Sequence, residues 1–181
     1  MSFPNVILVD EQDNEIGVMD KLEAHQKGLL HRAFSVFVFN KKNEMLLQKR
    51  AVEKYHSGGL WTNSCCSHPA ENETVLNAGH RRLKEEMNYQ CDLHEGFHFI
   101  YKVALDNDLT EYELDHVLIG LSNDNPIINP EEASDFKWIS IPQVLKEIED
   151  RPSDFTFWFK VIMKDYLVEL ENNLNKINES L

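Results

Sequence analysis

The sequence predicts a single domain of the α/β (α+β) class, in which mixed β-sheets pack between α-helices. Runs rich in β-branched and aromatic residues recur along the chain and alternate with stretches of helical periodicity. A length of 181 residues fits one domain. No internal repeat, linker or low-complexity segment divides the sequence, so we expect one unit spanning residues 1–181.

Two strands and a short helix are predicted at the start of the chain. Val6–Val9 and Ile16–Val18 flank a polar stretch, which favours a hairpin. Asp20 then suits the N-cap of a short helix ending near Gly28, because Asp is a common N-cap and Gly a common residue just after a helix.

A second hairpin is expected next. Ala33–Phe39 is nearly all apolar, which indicates a central strand. The turn Lys41–Asn43 leads into Met45–Gln48, which we interpret as the second strand of that hairpin. A long loop through Gly58–Gly59 then reaches Trp61.

The stretch after this loop predicts a helix of about fifteen residues. Asn72 is a good N-cap, and the helix is expected to end near Asn88. Three apolar residues at helical spacing form its stripe: Leu76, Leu83 and Met87.

The last part of the chain predicts three strands and two helices. Phe97–Leu105 and Glu113–Leu121 are expected to pair around a turn at Asp106–Asp108. A short strand at Phe136–Ile139 and a short helix at Ile141–Ile148 follow a proline-marked loop. A long amphipathic helix, at about 155–178, has apolar residues at helical spacing: Phe159, Met163, Tyr166, Leu170, Leu174 and Ile177.

Composition excludes several classes of function. A net charge of −13 argues against a nucleic-acid binder, and no apolar run is long enough to span a membrane. Three cysteines, two of them adjacent, make no disulfide framework, and Met1–Glu11 lacks the features of a signal peptide, so we expect a cytoplasmic protein. An anionic small substrate needs only a few local cations, and candidates are Lys21, Lys49, Arg50, Lys54, Arg81 and Arg82.

The most distinctive segment runs from Trp61 to Pro69 and reads Trp-Thr-Asn-Ser-Cys-Cys-Ser-His-Pro. In an extended segment Cys66 and His68 lie on one side, since side chains alternate with period two. A thiol beside a metal ligand suggests a reaction centre. Taken alone, the pair favours the simpler interpretation, a buried thiol and a hydrogen-bonded histidine, so the rest of the chain must decide.

Histidines and carboxylates distant in sequence form a candidate metal site. In a strand, Glu111 and Glu113 point to the same face and can converge on one ion. With three histidines, they would suit a six-coordinate divalent cation: His25, His31 and His68. The alternative is surface histidines and glutamates that bind no ion.

The predicted helix resembles the Nudix box, at about residues 67–89. The box spacing is kept in full at Ser67, Glu73, Arg81, Arg82, Leu83, Glu85, Glu86, Asn88 and Tyr89. Ser67, Arg82 and Asn88 replace Gly, Glu and Gly of the family pattern, which weakens the case for Nudix hydrolysis. Arg82 and Glu86 fit a plain surface ion pair, but Glu86 near basic residues can also hold Mg²⁺ against a diphosphate.

From Val6 to Trp158 the chain resembles the type 1 isopentenyl diphosphate isomerases, which have the Nudix fold. The specific marks are Ala24-His25, His31–Ser35, Trp61–Pro69, Arg81–Glu86 and Glu111–Glu113. The resemblance implies an isomerase of isoprenoid biosynthesis. Such an enzyme interconverts isopentenyl and dimethylallyl diphosphate by protonating and deprotonating an alkene through a tertiary carbocation.

The resemblance also implies a role for each matched residue. Cys66 and Glu113 flank the allylic carbons, Tyr101 hydrogen-bonds the carboxylate, and Trp158 lays its π face against the cationic carbon. A first divalent cation, Mn²⁺, Mg²⁺ or Zn²⁺, is expected on His25, His31, His68, Glu111 and Glu113. A second, Mg²⁺, is expected on Glu86 and the backbone around Cys66. The residues expected to grip the diphosphate are Lys21, Arg50, Lys54 and Arg82.

Two other functions stay open at this point: a Nudix pyrophosphohydrolase of a nucleotide or other diphosphate, and an inactive diphosphate-binding module. Arg82 in place of a box glutamate and the Cys-x-His pair argue against the hydrolase. The five remaining histidines match nothing in the resemblance and are interpreted as plain polar residues: His56, His80, His94, His98 and His116.

Overall fold

The computed structural model describes residues 4–54, 56–105 and 108–180. Within them, the strands are β1 (Asn5–Val9), β2 (Glu15–Asp20), β3 (His31–Phe39), β4 (Glu44–Arg50), β5 (Trp61–Thr62), β6 (Cys65–Ser67), β7 (Leu93–Ala104), β8 (Thr110–Leu121) and β9 (Ala133–Ser140). The helices are α1 (Lys21–Lys27), α2 (Val75–Met87), α3 (Ile141–Asp150), α4 (Phe157–Asp165) and α5 (Leu167–Ser180), and a 3₁₀ turn lies at Pro152–Asp154. The predicted α/β class, with a mixed sheet, is confirmed.

The strand β3 organises the sheet. It pairs in parallel with β8 along its whole length, so that His31 lies beside Glu113 and Phe39 beside Leu121. The strand β3 also pairs with β1 at its start, with β6 in its middle and with β4 at its end. The pairing with β6 places Cys66 opposite Ser35. Four other strands, from different parts of the chain, therefore meet around β3.

The sheet is packed between helices on two sides. On one side Phe37, Val117 and Ile119 pack with residues of α4 and α5, among them Phe159 and Leu174. On the other side the buried stripe of α2, which includes the predicted Leu83 and Met87, packs against β3 and β8. Burial of such side chains contributes about 1.5–3 kcal/mol each, so both layers hold the ends of β3 and β8 in fixed positions.

The helix α1 follows its sequence signals closely. The Asp20 side chain accepts hydrogen bonds from the backbone N–H groups of Leu22 and Glu23, and Gly28 ends the helix with a positive φ of 61°. The hairpin β1–β2 forms as predicted. The short helix therefore starts immediately after a strand, and this delivers buried His25 to the interior.

The second predicted hairpin is only partly correct. Residues 40–43 make the turn, but β4 pairs with β3 at a single position, Phe39 with Met45. On its other edge, β4 pairs with β9 from Glu44 to Arg50. The pairing of β4 with β3 is short because β6 takes the place beside Phe34–Val36 that the returning strand would have filled.

Two predictions about helices were also wrong, the start of α2 and the continuity of the C-terminal helix. Asn72 is not the N-cap of α2, because it adopts a left-handed turn conformation with φ 62°; Thr74 caps the helix through a bond from the Asn77 N–H to its Oγ1. The single C-terminal helix is two helices, broken at Tyr166 (φ −126°, ψ 14°). The Tyr166 ring lies 4.6 Å from the Phe99 ring, and the break lets α5 pack along β7.

Two further findings concern the described residues alone. The strands β7 and β8 pair as predicted, but residues 106 and 107 of the expected turn lie outside the described part of the chain. Among the described helices, none combines the length and apolar character that a membrane crossing requires.

Candidate active site

A pocket lies where β3, β6 and β8 meet the start of α1. It encloses about 330 Å³ of space that contains no protein atoms, part of it open to solvent. We call it the inner pocket; its lining residues are Lys21, Phe34, Ser35, Arg50, His56, Cys66, Ser67, His68, Tyr101, Glu111, Glu113, Asp115 and Trp158. An adjoining outer groove shares Lys21, Arg50 and Cys66–His68 with it and adds further cations: Lys54, Arg81 and Arg82.

Three predicted metal ligands surround one carboxylate. The Nε2 atoms of His25, His31 and His68 lie 3.9, 3.4 and 2.9 Å from Oε1 of Glu113. One ligand atom from each of these four residues lies within 4.8 Å of the others, and we call the four residues the histidine cluster. Four elements supply them, so the cluster exists only in the folded chain: α1, β3, the segment after β6, and β8.

The ring orientation of these histidines suits metal binding. Nδ1 of His25 lies 2.7 Å from the Lys21 carbonyl oxygen, and Nδ1 of His31 lies 2.8 Å from that of Leu29. A hydrogen bond at Nδ1 leaves Nε2 as the coordinating atom. Burial lowers the pKa of His25 to about 4 and that of His68 to about 3, which keeps both rings neutral near pH 7. The cluster can hold a divalent cation.

The two glutamates differ in charge although both are buried. Burial and the neighbouring charge of Glu113 raise the pKa of Glu111 to about 8. Burial also acts to raise the pKa of Glu113, but its contacts with His31 and His68 outweigh that effect and hold it well below the usual value. The Tyr101 hydroxyl donates to Oε2 of Glu113 at 2.6 Å and lies 3.2 Å from Oε2 of Glu111.

The two adjacent cysteines face opposite ways. Cys65 is fully buried in the core beneath α2, whereas Cys66 lines both the inner pocket and the outer groove. Nη1 of Arg50 donates to the Cys66 Sγ at 3.7 Å. Burial raises the pKa of the Cys66 thiol to about 12, so the thiol is protonated near neutral pH.

Trp158 is held in the pocket wall by the residues that precede the cysteines. Its indole N–H donates to Oδ1 of Asn63 at 3.2 Å, and Nδ2 of the same amide donates to the Cys65 carbonyl at 2.7 Å. The Thr156 hydroxyl bonds that of Thr62, and the Thr156 N–H bonds the Trp61 carbonyl at 3.0 Å. The segment before Cys65 therefore fixes α4 and the indole together.

The outer groove combines cations with one buried acid. Glu86 accepts from Arg82 at 2.9 Å and from Gln48 at 2.8 Å, and it is 4% exposed. Arg82 also lies 3.2 Å from Glu132, which forms an ion pair with Lys54. Arg82 and Glu86 thus lie on one face as predicted, but they line a groove and are not an isolated surface pair.

The altered box keeps its local geometry. Arg81 donates two hydrogen bonds to the Glu73 carboxylate, from Nε to Oε1 at 2.8 Å and from Nη2 to Oε2 at 2.7 Å. Asn88 has a φ of 44° at the end of α2, in the left-handed region where the family pattern has Gly.

Three site residues were missed by the sequence reasoning: His56, Asp115 and Glu132. Asp115 continues the period-two series of Glu111 and Glu113, and that signal could have found it; its Oδ2 accepts from the Ser35 hydroxyl at 2.8 Å. His56 and Glu132 lie on loops, where no periodicity indicates the direction of a side chain. Conversely, each predicted site residue lies in the inner pocket, the outer groove or the histidine cluster.

Comparison with known proteins identifies the family. A family model described as "NUDIX domain" matches residues 29–159. The chain is 52% identical over 158 residues to "Isopentenyl-diphosphate Delta-isomerase 2" of Photorhabdus laumondii, covering 87% of this chain and 89% of the relative. This chain belongs to the Nudix family, among the isopentenyl-diphosphate Delta-isomerases. The resemblance inferred from the motifs is confirmed.

Other relatives agree over nearly the full length of this Nudix chain. It is 51% identical to the isopentenyl-diphosphate Delta-isomerase of Pectobacterium atrosepticum, covering 89% of this chain and 90% of that protein. It is 44% identical to the isopentenyl-diphosphate Delta-isomerase 1 of Aromatoleum aromaticum, covering 95% and 97%.

Solved structures support the fold alone. A crystal structure from Deinococcus radiodurans superposes with a TM-score of 0.67 at 20% identity and covers 81% of this chain and 89% of its own. The MutT protein from Methanosarcina mazei gives a TM-score of 0.64 at 14% identity and covers 77% and 94%.

Proposed function

We propose that this Nudix-family chain is an isomerase that interconverts isopentenyl and dimethylallyl diphosphate in isoprenoid biosynthesis. The observation that carries the proposal is the joining of two compartments at Cys66: a pocket that also contains Glu113, and an adjoining groove lined by cations. Relatives with the isomerase name, 44–52% identical over most of the chain, support it. Free cysteines fit action in the cytoplasm.

The chemistry requires two proton transfers. One proton is added to the terminal alkene carbon, which leaves a tertiary carbocation, and another is lost from the carbon on the diphosphate side. We assign these transfers to Cys66 and Glu113, which both line the inner pocket. The protonated thiol is a proton donor near pH 7, and Tyr101 holds the carboxylate in position through its 2.6 Å hydrogen bond.

The carbocation must be stabilised without being captured. Trp158 offers a π face in the pocket wall, and an aromatic face attracts a cation while presenting no nucleophilic atom. The indole is 3% exposed and is held by Asn63, so the wall also keeps water away. The contacts of Asn63 and Thr156 are therefore part of the proposed machinery, although neither residue lines the pocket.

Two divalent cations are part of the proposal. Mn²⁺, Mg²⁺ or Zn²⁺ would bind to the histidine cluster and to Glu111, which lines the same pocket as Glu113. Mg²⁺ would bind to Glu86, whose oxygens keep free lone pairs beside Arg82 and Gln48, and to the backbone around Cys66. The bound ions would make Glu113 a stronger acid and offset the charge of the diphosphate.

The diphosphate would lie in the outer groove. Lys21, Arg50, Lys54 and Arg82 line it, and together they can grip two phosphate groups. Lys54 and Arg82 converge on Glu132, so the arriving anion would replace that carboxylate as their partner. Arg82 at the box position of a glutamate therefore favours anion binding over metal-assisted hydrolysis.

Incubation with isopentenyl diphosphate, Mg²⁺ and Mn²⁺ in deuterated water tests the proposal. Isomerisation incorporates deuterium into dimethylallyl diphosphate without releasing phosphate. Phosphate release would instead indicate a pyrophosphohydrolase, and binding without either product would indicate an inactive module.

Matched cysteine variants locate the chemistry. Cys66→Ala is expected to lower the isomerisation rate by about 10²–10⁴-fold, because it removes a proton-transfer group. Cys65→Ala is the control, since that thiol lies in the core on the other face of β6. Equal activity of the two variants would contradict the assignment.

A further inference from the structure

His56 lies next to the predicted metal ligands, although no sequence pattern assigns it a role. Its Nε2 is 3.6 Å from Oε1 of Glu111, and both side chains are less than a tenth exposed. One ligand atom from each of His25, His56 and Glu111 lies within 4.8 Å of the others. We propose that His56 is a further ligand of the divalent cation at the histidine cluster and binds it on the Glu111 side.

The distances fit coordination better than hydrogen bonding. Two donor atoms about 2.1 Å from one ion lie about 3.0 Å apart at a right angle and about 3.4 Å apart at a tetrahedral angle. The 3.6 Å between His56 and Glu111 exceeds the usual hydrogen-bond range. It is close to the 3.4 Å between His31 and Glu113, a pair already expected to share the ion.

The orientation of the His56 ring is also suitable. Its Nδ1 lies 3.3 Å from the Ser57 hydroxyl oxygen, and its Nε2 is directed to Glu111. His25 and His31 show the same arrangement, with an oxygen at Nδ1 and a carboxylate near Nε2. An oxygen at Nδ1 fixes which nitrogen can coordinate, as is usual for metal-bound histidines.

The backbone around His56 is shaped to bring it into the pocket. Its loop is closed by hydrogen bonds from the Arg50 N–H to the Leu60 carbonyl, 2.9 Å, and from the Gly59 N–H to the Arg50 carbonyl, 3.1 Å. A Cβ at Gly58 would lie 2.3 Å from the Val52 carbonyl oxygen, so only glycine fits there. This tight loop gives His56 a defined position, which a ligand needs.

A packing role alone explains less. The His56 ring meets the Trp158 ring edge-on with centroids 6.2 Å apart, a contact that any apolar side chain could provide. It does not account for a polar ring whose Nε2 is directed at a buried carboxylate. The proposal rests on the proposed function only in requiring that the cluster hold a cation.

Metal titration of the full chain tests this. Metal-free protein is titrated with Co²⁺, whose visible spectrum reports coordination, and with Zn²⁺ against a competing chelator. His56→Ala and His56→Gln are expected to weaken cation binding by at least about tenfold and to alter the Co²⁺ spectrum. The exposed His94→Ala is the matched control and should match the wild type.

Failure of this inference is distinguishable from failure of the proposed function. If both His56 variants keep wild-type affinity and spectrum, His56 is not a ligand, whether or not the wild type isomerises its substrate. If the wild type binds neither Co²⁺ nor Zn²⁺, the proposed histidine-cluster cation and the His56 ligand both fall. Circular dichroism of the metal-free variants checks that the fold is kept.

Discussion

Burial sets the protonation state of most side chains in the inner pocket. It lowers the pKa of His68 to about 3 and raises that of Cys66 to about 12, in each case favouring the uncharged form. Neutral imidazole is the form that binds metals, and a protonated thiol is the form that gives a proton. The low-dielectric pocket therefore keeps both kinds of group in the uncharged form that each role requires, without a separate charged partner for each.

The thiols provide a direct measurement of this effect. Burial raises the pKa of Cys66 and of Cys91 to about 12 and that of Cys65 well above its usual value. Only the thiolate reacts with Ellman's reagent, so at pH 8 the native chain is expected to react slowly, and faster as the pH rises toward 12. Unfolding in denaturant should expose three rapidly reacting thiols. Fast reaction of native Cys66 at pH 7 would contradict the raised pKa.

Tyr101 is expected to act on the rate more than on substrate binding. Tyr101→Phe removes the hydroxyl that donates to Glu113 but keeps the ring, so kcat should fall about 10–100-fold with KM nearly unchanged. Tyr112→Phe is the matched control, because Tyr112 alternates to the other face of β8 and contacts Lys102. A loss confined to KM would show that the hydroxyl serves binding instead.

At the scale of elements, strands were easier to predict than their partners. The apolar run of β3 and the caps of α1 are local signals, and both were identified correctly. The short pairing of β4 with β3 reflects a three-residue strand, β6, which occupies part of the edge of β3. A strand that short has no periodicity of its own, so its effect on the sheet order could not be predicted.

The helix α2 contains a glycine whose role is packing. A Cβ at Gly79 would lie 2.4 Å from Cδ1 of Leu118 and 3.2 Å from Cδ1 of Leu93, both buried in the core. Gly79→Ala is therefore expected to destabilise the chain by about 1–3 kcal/mol, despite the better helix propensity of Ala.

Urea unfolding measures this effect, with Asn77→Ala as the control on the same helix. Asn77 is exposed, so its replacement should change the free energy of unfolding by no more than about 0.5 kcal/mol. If Gly79→Ala were as stable as that control, α2 would not be in close contact with the sheet at this point.

At the scale of the molecule, the candidate site residues that could be predicted from the sequence are those that belong to a recognisable motif. The matched residues Cys66, Glu113 and Trp158 come from β6, β8 and α4, and the fold brings all three to one pocket. His56 and Glu132 are different, because each lies on a loop and owes its place to tertiary contacts. A net charge of −13 likewise gives no sign of the cationic groove, because the total charge does not show where the charged residues lie in the fold.

Cation binding should stabilise the whole chain. Three histidines, two of them buried, surround Glu113, and an ion that binds only the folded state would replace these contacts with coordination bonds. A free cation concentration about 100-fold above the dissociation constant adds about 2.7 kcal/mol, which should raise the Tm by about 5–10 °C for a chain of this size.

Scanning calorimetry with and without Mn²⁺ or Zn²⁺, and again after adding a chelator, measures the shift. His68→Ala removes a ligand whose Nε2 lies 2.9 Å from Glu113, so its Tm should respond less to the cation. His80→Ala, on the outer part of α2, should behave as the wild type does. An equal shift in the wild type and in His68→Ala would mean that the stabilising cation binds elsewhere, because loss of a ligand must weaken binding at the cluster.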